Sequence, residues 1–147
     1  MIAGARPLAL VLLVFGSGRA WAGEDSDALA KFGLIGSWAV DCHAPPSFTN
    51  PFQTFVPSNY GEPTRQLLVG NPEFDGITTI YGVFRITDDR LRLSFEQNGI
   101  AVTVLLVKDK DRIRPLESTT GDGHTVVSGG IVQRNGQETT WLQKCQG

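Results

Sequence analysis

Two histidines, His43 and His124, are the side chains in this 147-residue sequence best suited to move protons near neutral pH or to hold a metal. Asp41-Cys42-His43 places three potential ligands in consecutive positions. Neighbours in a strand point to opposite faces, so that run does not converge on one ion. His124 follows Gly121-Asp122-Gly123, turn chemistry in which an imidazole faces water. Ser37, Ser47, Ser58, Ser94, Ser118 and Ser128 lie outside any G-x-S-x-G elbow, and the chain has no Walker loop and no H-E-x-x-H. Glu73 and Asp75 share one short turn, where two acids face solvent rather than flank a cleft. No catalytic constellation, metal site or cofactor site emerges, and the chain reads as non-enzymatic.

Arginine is the other source of chemistry. Arg85, Arg90, Arg92, Arg112 and Arg114 concentrate in the middle of the chain, Arg90 sharing a strand face with Arg92 and Arg112 with Arg114. Turned inward, they would line a site for a carboxylate or phosphate. Turned outward, they form a solvated flank balanced by Glu96 and Glu117, the arrangement expected of a side chain seldom buried unpaired.

Cys42 and Cys145 are the only cysteines. An even count in an exported chain predicts one disulfide, here closing a loop of 103 residues. Export is expected from residues 1–22: Arg6, the apolar run Leu8–Phe15, then Ala20-Trp21-Ala22, a small-x-small cleavage site. The run is too short for a permanent membrane span. The mature chain, 23–147, is one domain in length, is expected to be periplasmic or secreted, and carries no transmembrane segment. The whole chain has 13 basic and 15 acidic residues; without the leader, which holds Arg6 and Arg19 and no acid, the balance is 11 to 15. That excess of acid excludes a generic nucleic-acid binder.

The elements that must position these residues are mostly strands. One short helix is expected within 23–34, capped by Ser26 or Asp25 and ended by Gly33. Beyond it, strands are expected at 36–42, 52–56, 65–70, 77–86, 91–97, 100–107, 112–118, 124–134 and 137–144, with Gly129-Gly130 bending the eighth. Asn98-Gly99 and Asn135-Gly136 are type I′ hairpin signals. In 77–86, Ile77, Tyr81 and Val83 fall on one face and Ile80, Phe84 and Ile86 on the other. The run 100–107 is apolar on both faces. This pattern predicts an all-β fold, an antiparallel up-and-down barrel of eight or nine strands with a short N-terminal helix; a two-sheet sandwich is the alternative.

Gly36-Ser37-Trp38 on the first strand after a short helix, in an exported meander, resembles the lipocalin and wider calycin group. In that group the tryptophan plugs the closed end of the barrel and the glycine lets the entering chain pass close by. The resemblance implies architecture and does not carry function. Trp141-x-x-x-Cys145 repeats the spacing of Trp38-x-x-x-Cys42, so each tryptophan is expected on the face of its cysteine.

Two function classes follow. The first is a binder of a small apolar or amphipathic ligand, with Trp38, Phe52, Phe55, Tyr81, Phe84 and Trp141 as cavity or plug residues. The second is a protein-binding module, such as an inhibitor of an envelope-attacking protease or lysozyme, using the loops 43–63 and 119–124. Residues 44–63 hold five prolines together with Phe48, Phe52, Phe55 and Tyr60, and are expected either to fold over the barrel mouth as a lid or to be stapled to the body by their aromatics. Interior volume separates the classes: a cavity of several hundred Å³ favours the ligand, a filled barrel favours the loops.

Overall fold

The computed structural model describes residues 23–146. The expected leader at 1–22 and Gly147 lie outside the described residues. The order is α1 (Glu24–Phe32), β1 (Gly36–Ala39), β2 (Phe52–Val56), β3 (Thr64–Leu68), β4 (Gly76–Thr87), β5 (Arg90–Gln97), β6 (Ile100–Asp109), β7 (Arg112–Thr120), β8 (Thr125–Ser128), β9 (Ile131–Val132) and β10 (Leu142–Lys144). The sheet runs β10-β1-β2-β3-β4-β5-β6-β7, and β10 also pairs with β7. An eight-stranded antiparallel barrel therefore closes, and β8 and β9 extend from β7 as a flap.

Strict alternation builds the wall where the sequence is cleanest. Leu91, Leu93 and Phe95 of β5 are buried, while Arg90, Arg92 and Glu96 face out. In β6, Val102, Val104 and Leu106 join the core. The outward Leu105 and Val107 lie directly opposite Arg92 and Glu117, and Arg90 and Arg114. Long charged side chains at those cross-strand positions shade the apolar outer face with their stems.

Register shifts reassign faces elsewhere. In β4 the pairing slips between Ile80 and Gly82, so Ile80 and Val83 both point inward and Tyr81 is the extra, outward residue. The two faces expected for 77–86 are thereby mixed. Gly129 and Gly130, both at positive φ, form a tight two-residue turn that splits the expected strand 124–134 into β8 and β9. Asn98-Gly99 has both residues at positive φ, as its hairpin requires; at Asn135-Gly136 only the glycine does.

One barrel end is closed by α1. Gly33 terminates the helix at φ 81°, donating to Ala30 while Leu34 donates to Leu29. Leu29, Phe32 and Leu34 enter the core beside Trp38, whose indole N–H donates to the Leu34 carbonyl at 2.8 Å. Lys108 donates to the Phe32 carbonyl and stands over the Phe32 ring; Lys144 donates to the Gly33 carbonyl and stands over the Trp38 ring. Two ammonium groups thus answer the negative helix terminus. Neither expected N-cap side chain serves the helix. Ser26 is buried and exchanges hydrogen bonds with the backbone of Ser58, and Asp25 accepts from the Val83 N–H, with burial pushing its carboxyl pKa up. Tertiary partners outcompete the local cap for both.

Candidate functional site

The six aromatics singled out from sequence do not share one cavity. Trp38 and Phe55, 1% and 2% exposed, are interior. Phe52 is outward-facing and lines an external cleft of about 740 Å³ beside the disulfide, with Ser37 and Cys145. Tyr81 and Phe84 stand on the outer face of β4, where with Glu24 and Ala28 of the helix they line a second external cleft of about 690 Å³. Trp141 is also outside, between Arg112 at 4.6 Å and Arg114 at 4.7 Å, because Leu142 takes the inward place opposite Ile113. Trp38 and Trp141 accordingly occupy opposite sides of the wall.

Cys42 and Cys145 form the expected disulfide, across 103 residues and with Cα atoms 5.5 Å apart. His43 and His124 are exposed, and among the described residues no group of three His, Cys, Asp or Glu side chains could hold a metal. The clustered arginines face outward. Arg85 pairs with Asp88 and Arg112 with Asp109, each at 2.7 Å. Glu117, expected to balance them, instead accepts from the Gly129 N–H.

The segment 44–63 is neither a lid nor a single loop. Its middle is β2, a full member of the wall paired with β1 and β3. The prolines flank that strand. Residues 57–63 return to the helix end, where Ser58 meets Ser26, and residues 40–51 form the opposite end together with the β3–β4 connection.

That opposite end is braced. The buried Asn50 side chain accepts from the Asp41 N–H at 2.9 Å and donates to the carbonyls of Asp41, Ala44 and Pro45 at 2.9–3.3 Å. Ser47 and Asn50 exchange backbone bonds, and Cys42 ties the same loop to the C-terminus. The second loop is held by the Asp75 carboxylate, which accepts from the Val69 N–H at 2.6 Å, and by Asn71, whose carbonyl takes the N–H groups of Phe74 and Asp75. The loops touch at Gly70, where φ is +73° and an added Cβ would lie 2.7 Å from the Pro46 carbonyl oxygen. At their tips Phe48 and Phe74, 64% and 48% exposed, stack edge to face with centroids 5.4 Å apart.

Asn50→Ala leaves one N–H and three carbonyls without their side-chain partner. The expected cost is about 2–3 kcal/mol by urea denaturation, with backbone amide exchange accelerated at 41–50 and unchanged in β5. An unchanged exchange rate in the loop would show that Asn50 does not brace it.

Below the two loops, the barrel mouth holds a pocket of only about 80 Å³, lined by Arg65, Leu67, Phe74, Thr78, Gln97 and Asn98 with the rim acids Glu73 and Asp75. Arg65 shares the inward face with Phe55 and Thr78 by register. Its Nε donates to Gln53 at 3.0 Å, and its guanidinium lies 4.7 Å over the Phe95 ring. Burial pulls its pKa down to about 10, which still leaves it charged at neutral pH. Sequence reasoning passed over Arg65, Asn50 and the Phe48–Phe74 pair as site residues. The available signal was Arg65 standing in phase with Leu67 in a strand, which only the register of β3 turns into an inward position.

Comparison of the chain with protein-family models, with curated proteins and with solved structures gives no match.

Proposed function

We propose that the protein is a non-enzymatic, exported protein-binding module that engages its partner with the two braced loops around Phe48 and Phe74. The observation that carries this reading is a stacked, exposed aromatic pair on braced loops, which the other exposed aromatics, Tyr60, Tyr81 and Phe84, do not form. The interior is filled by Trp38, Phe55, Phe95 and their aliphatic neighbours, whereas Phe48 and Phe74 project from loops tied down by Asn50, Asp75 and the disulfide. Exposed aromatics on a pre-ordered backbone are the usual anchors of a protein interface, because little conformational entropy remains to be lost. The small-ligand reading lacks interior room: a mouth pocket of about 80 Å³ is well below the few hundred Å³ of a typical ligand site. The clefts near 700 Å³ lie on the outside of the wall.

The compartment belongs to the same proposal. A disulfide and the expected leader at 1–22 favour the periplasm or the exterior, where an inhibitor of an envelope-attacking protease or lysozyme would act. The likeness to the calycin group in Gly36-Ser37-Trp38 is proposed as architecture only, supported by the place of Trp38 under the closing helix.

The test is inhibition of a panel of secreted proteases and lysozymes by oxidised mature protein, wild type against Phe48→Ala/Phe74→Ala. Inhibition weakened on the order of 100-fold by the double substitution, with thermal stability unchanged, is the expected result. Equal inhibition by both proteins would remove the loops from the interface. A stoichiometric lipid adduct in native mass spectrometry, after incubation with a bacterial lipid extract, would return the ligand reading in its place.

A further inference from the structure

Among the described residues the most unusual charge is Arg65. No carboxylate among those residues comes within ion-pair distance of it, and the ion pairs found, Arg85–Asp88, Arg112–Asp109 and Arg114–Glu138, all use arginines on the outer face. The Gln53 amide and the Phe95 ring compensate part of its desolvation, and neither neutralises it. A cation withdrawn from water without a counter-ion destabilises a fold, and an apolar side chain of similar volume would serve the barrel better. Retention of such a group at a cost in stability is characteristic of functional sites. The two terminal nitrogens of the guanidinium make no protein hydrogen bond, and the only sealed, unpartnered side-chain nitrogen or oxygen among the described residues is Arg114 Nε, so those of Arg65 keep access to the mouth.

We propose that the mouth pocket is a subsite for an acidic side chain of the partner protein, whose carboxylate pairs with Arg65 while the surrounding chain packs against Phe74 and Phe48. This rests on the protein-binding reading and names the chemistry the partner presents. Room of about 80 Å³ is the share of two or three waters, enough for a carboxylate and its methylene. Gln97 and Asn98 add amide donors at the same opening. Phe74 lines the pocket and also stacks on Phe48, so an acid seated on Arg65 is continuous with the exposed aromatic pair. The rim acids decide between a tethered and a free anion. Asp75 is engaged with the Val69 N–H, and Glu73 adds a negative charge to the opening. They weaken the binding of a free anion to the millimolar range without abolishing it. A carboxylate held in place by the rest of an interface meets the same repulsion at a far higher effective concentration.

The experiment needs no partner. Acetate is titrated into oxidised mature protein at constant ionic strength, and the Arg65 Nε–H and the Phe74 and Asn98 amides are followed by NMR. Saturable shifts of all three in the wild type with a Kd of about 1–100 mM, and no shift of the Phe74 and Asn98 amides in Arg65→Gln, are the expected result. Arg65→Leu is measured beside them: a melting temperature equal to or above wild type supports a residue kept for an external counter-ion. No acetate response in the wild type, a response retained in Arg65→Gln, or a lowered melting temperature in Arg65→Leu would each overturn the proposal and make Arg65 a structural cation. The loop reading fails separately. If an enzyme of the inhibition panel depends on Phe48 and Phe74 but binds Arg65→Gln within a factor of about two of wild type, the loops are the interface and the acidic subsite is wrong. Weakening of at least about tenfold is expected.

Discussion

Reduction of the Cys42–Cys145 bond, or its replacement in Cys42→Ser/Cys145→Ser, is expected to lower stability by about 4–5 kcal/mol, measured by urea denaturation with the slope fitted separately for each form. The magnitude follows from the loop. The bond joins residues 103 apart, and the entropy it removes from the unfolded chain grows with the logarithm of that length. For a domain of this size the melting temperature should fall by roughly 15 °C. The native state gives a second reason for a large effect. Cys145 follows β10, a three-residue strand that closes the barrel by pairing with both β1 and β7. So short a strand has few ladder bonds of its own, and the bond holds its end against the Cys42 loop. Amide exchange should therefore rise first in β10 and in residues 41–50. A loss under about 1 kcal/mol would mean that the reduced, unfolded chain is already compact, and the loop-entropy account would fail.

Trp38→Ala carries the second large effect, about 3–5 kcal/mol. Trp38 is 1% exposed and sits where β1 meets the helix, in contact with the residues that seal that end. Truncation leaves a cavity larger than any single neighbour can fill. It also deprives the Leu34 carbonyl of the indole N–H and removes the ring beneath Lys144. Trp38→Phe separates the parts. It retains most of the volume and loses the hydrogen bond, so about 1–2 kcal/mol is expected. A Trp141→Phe background makes Trp38 the reporter of the domain, and its blue-shifted emission should move to the red only in the global transition. Equal costs for Trp38→Ala and Trp38→Phe would assign the effect to the hydrogen bond rather than to the plug.

Much of the architecture was readable from local pattern. The alternation of Leu91, Leu93 and Phe95 with Arg90, Arg92 and Glu96 fixes both the strand and its inner face, because the period of a strand is two and only one face is apolar. Asn98-Gly99 marks its hairpin because few other residues accept two positive φ angles. Gly33 ends the helix for the same reason. The paired cysteines announced their bond through compartment and count.

The faces of the candidate residues were not readable. Tyr81 changed sides at the slip in β4, and Trp141 lies outside because β10 pairs with β7 through Leu142 and Ile113. A shift of one residue in pairing reverses every side chain beyond it, and no local feature records the shift. Asn50 binds carbonyls at Asp41, Ala44 and Pro45 that become neighbours only when the loop closes. Phe48 and Phe74 meet through Gly70 and Pro46, two loops from opposite sides of β2 and β3.

The amino-acid sequence by itself determined most of the strands, the Asn98-Gly99 hairpin, the short N-terminal helix and the disulfide, since each depends on dihedral preference, short-range alternation or the chemistry of one residue type; it did not determine the split of 124–134 or the shortening of 137–144 to β10. Only the tertiary structure decided that Trp38, Phe55 and Phe95 pack together in the barrel core, that Arg65 faces inward without a counter-ion, and that Phe48 and Phe74 meet at the mouth. Those outcomes depend on ring closure and strand register, which sum over the whole wall and are written in no single segment of it.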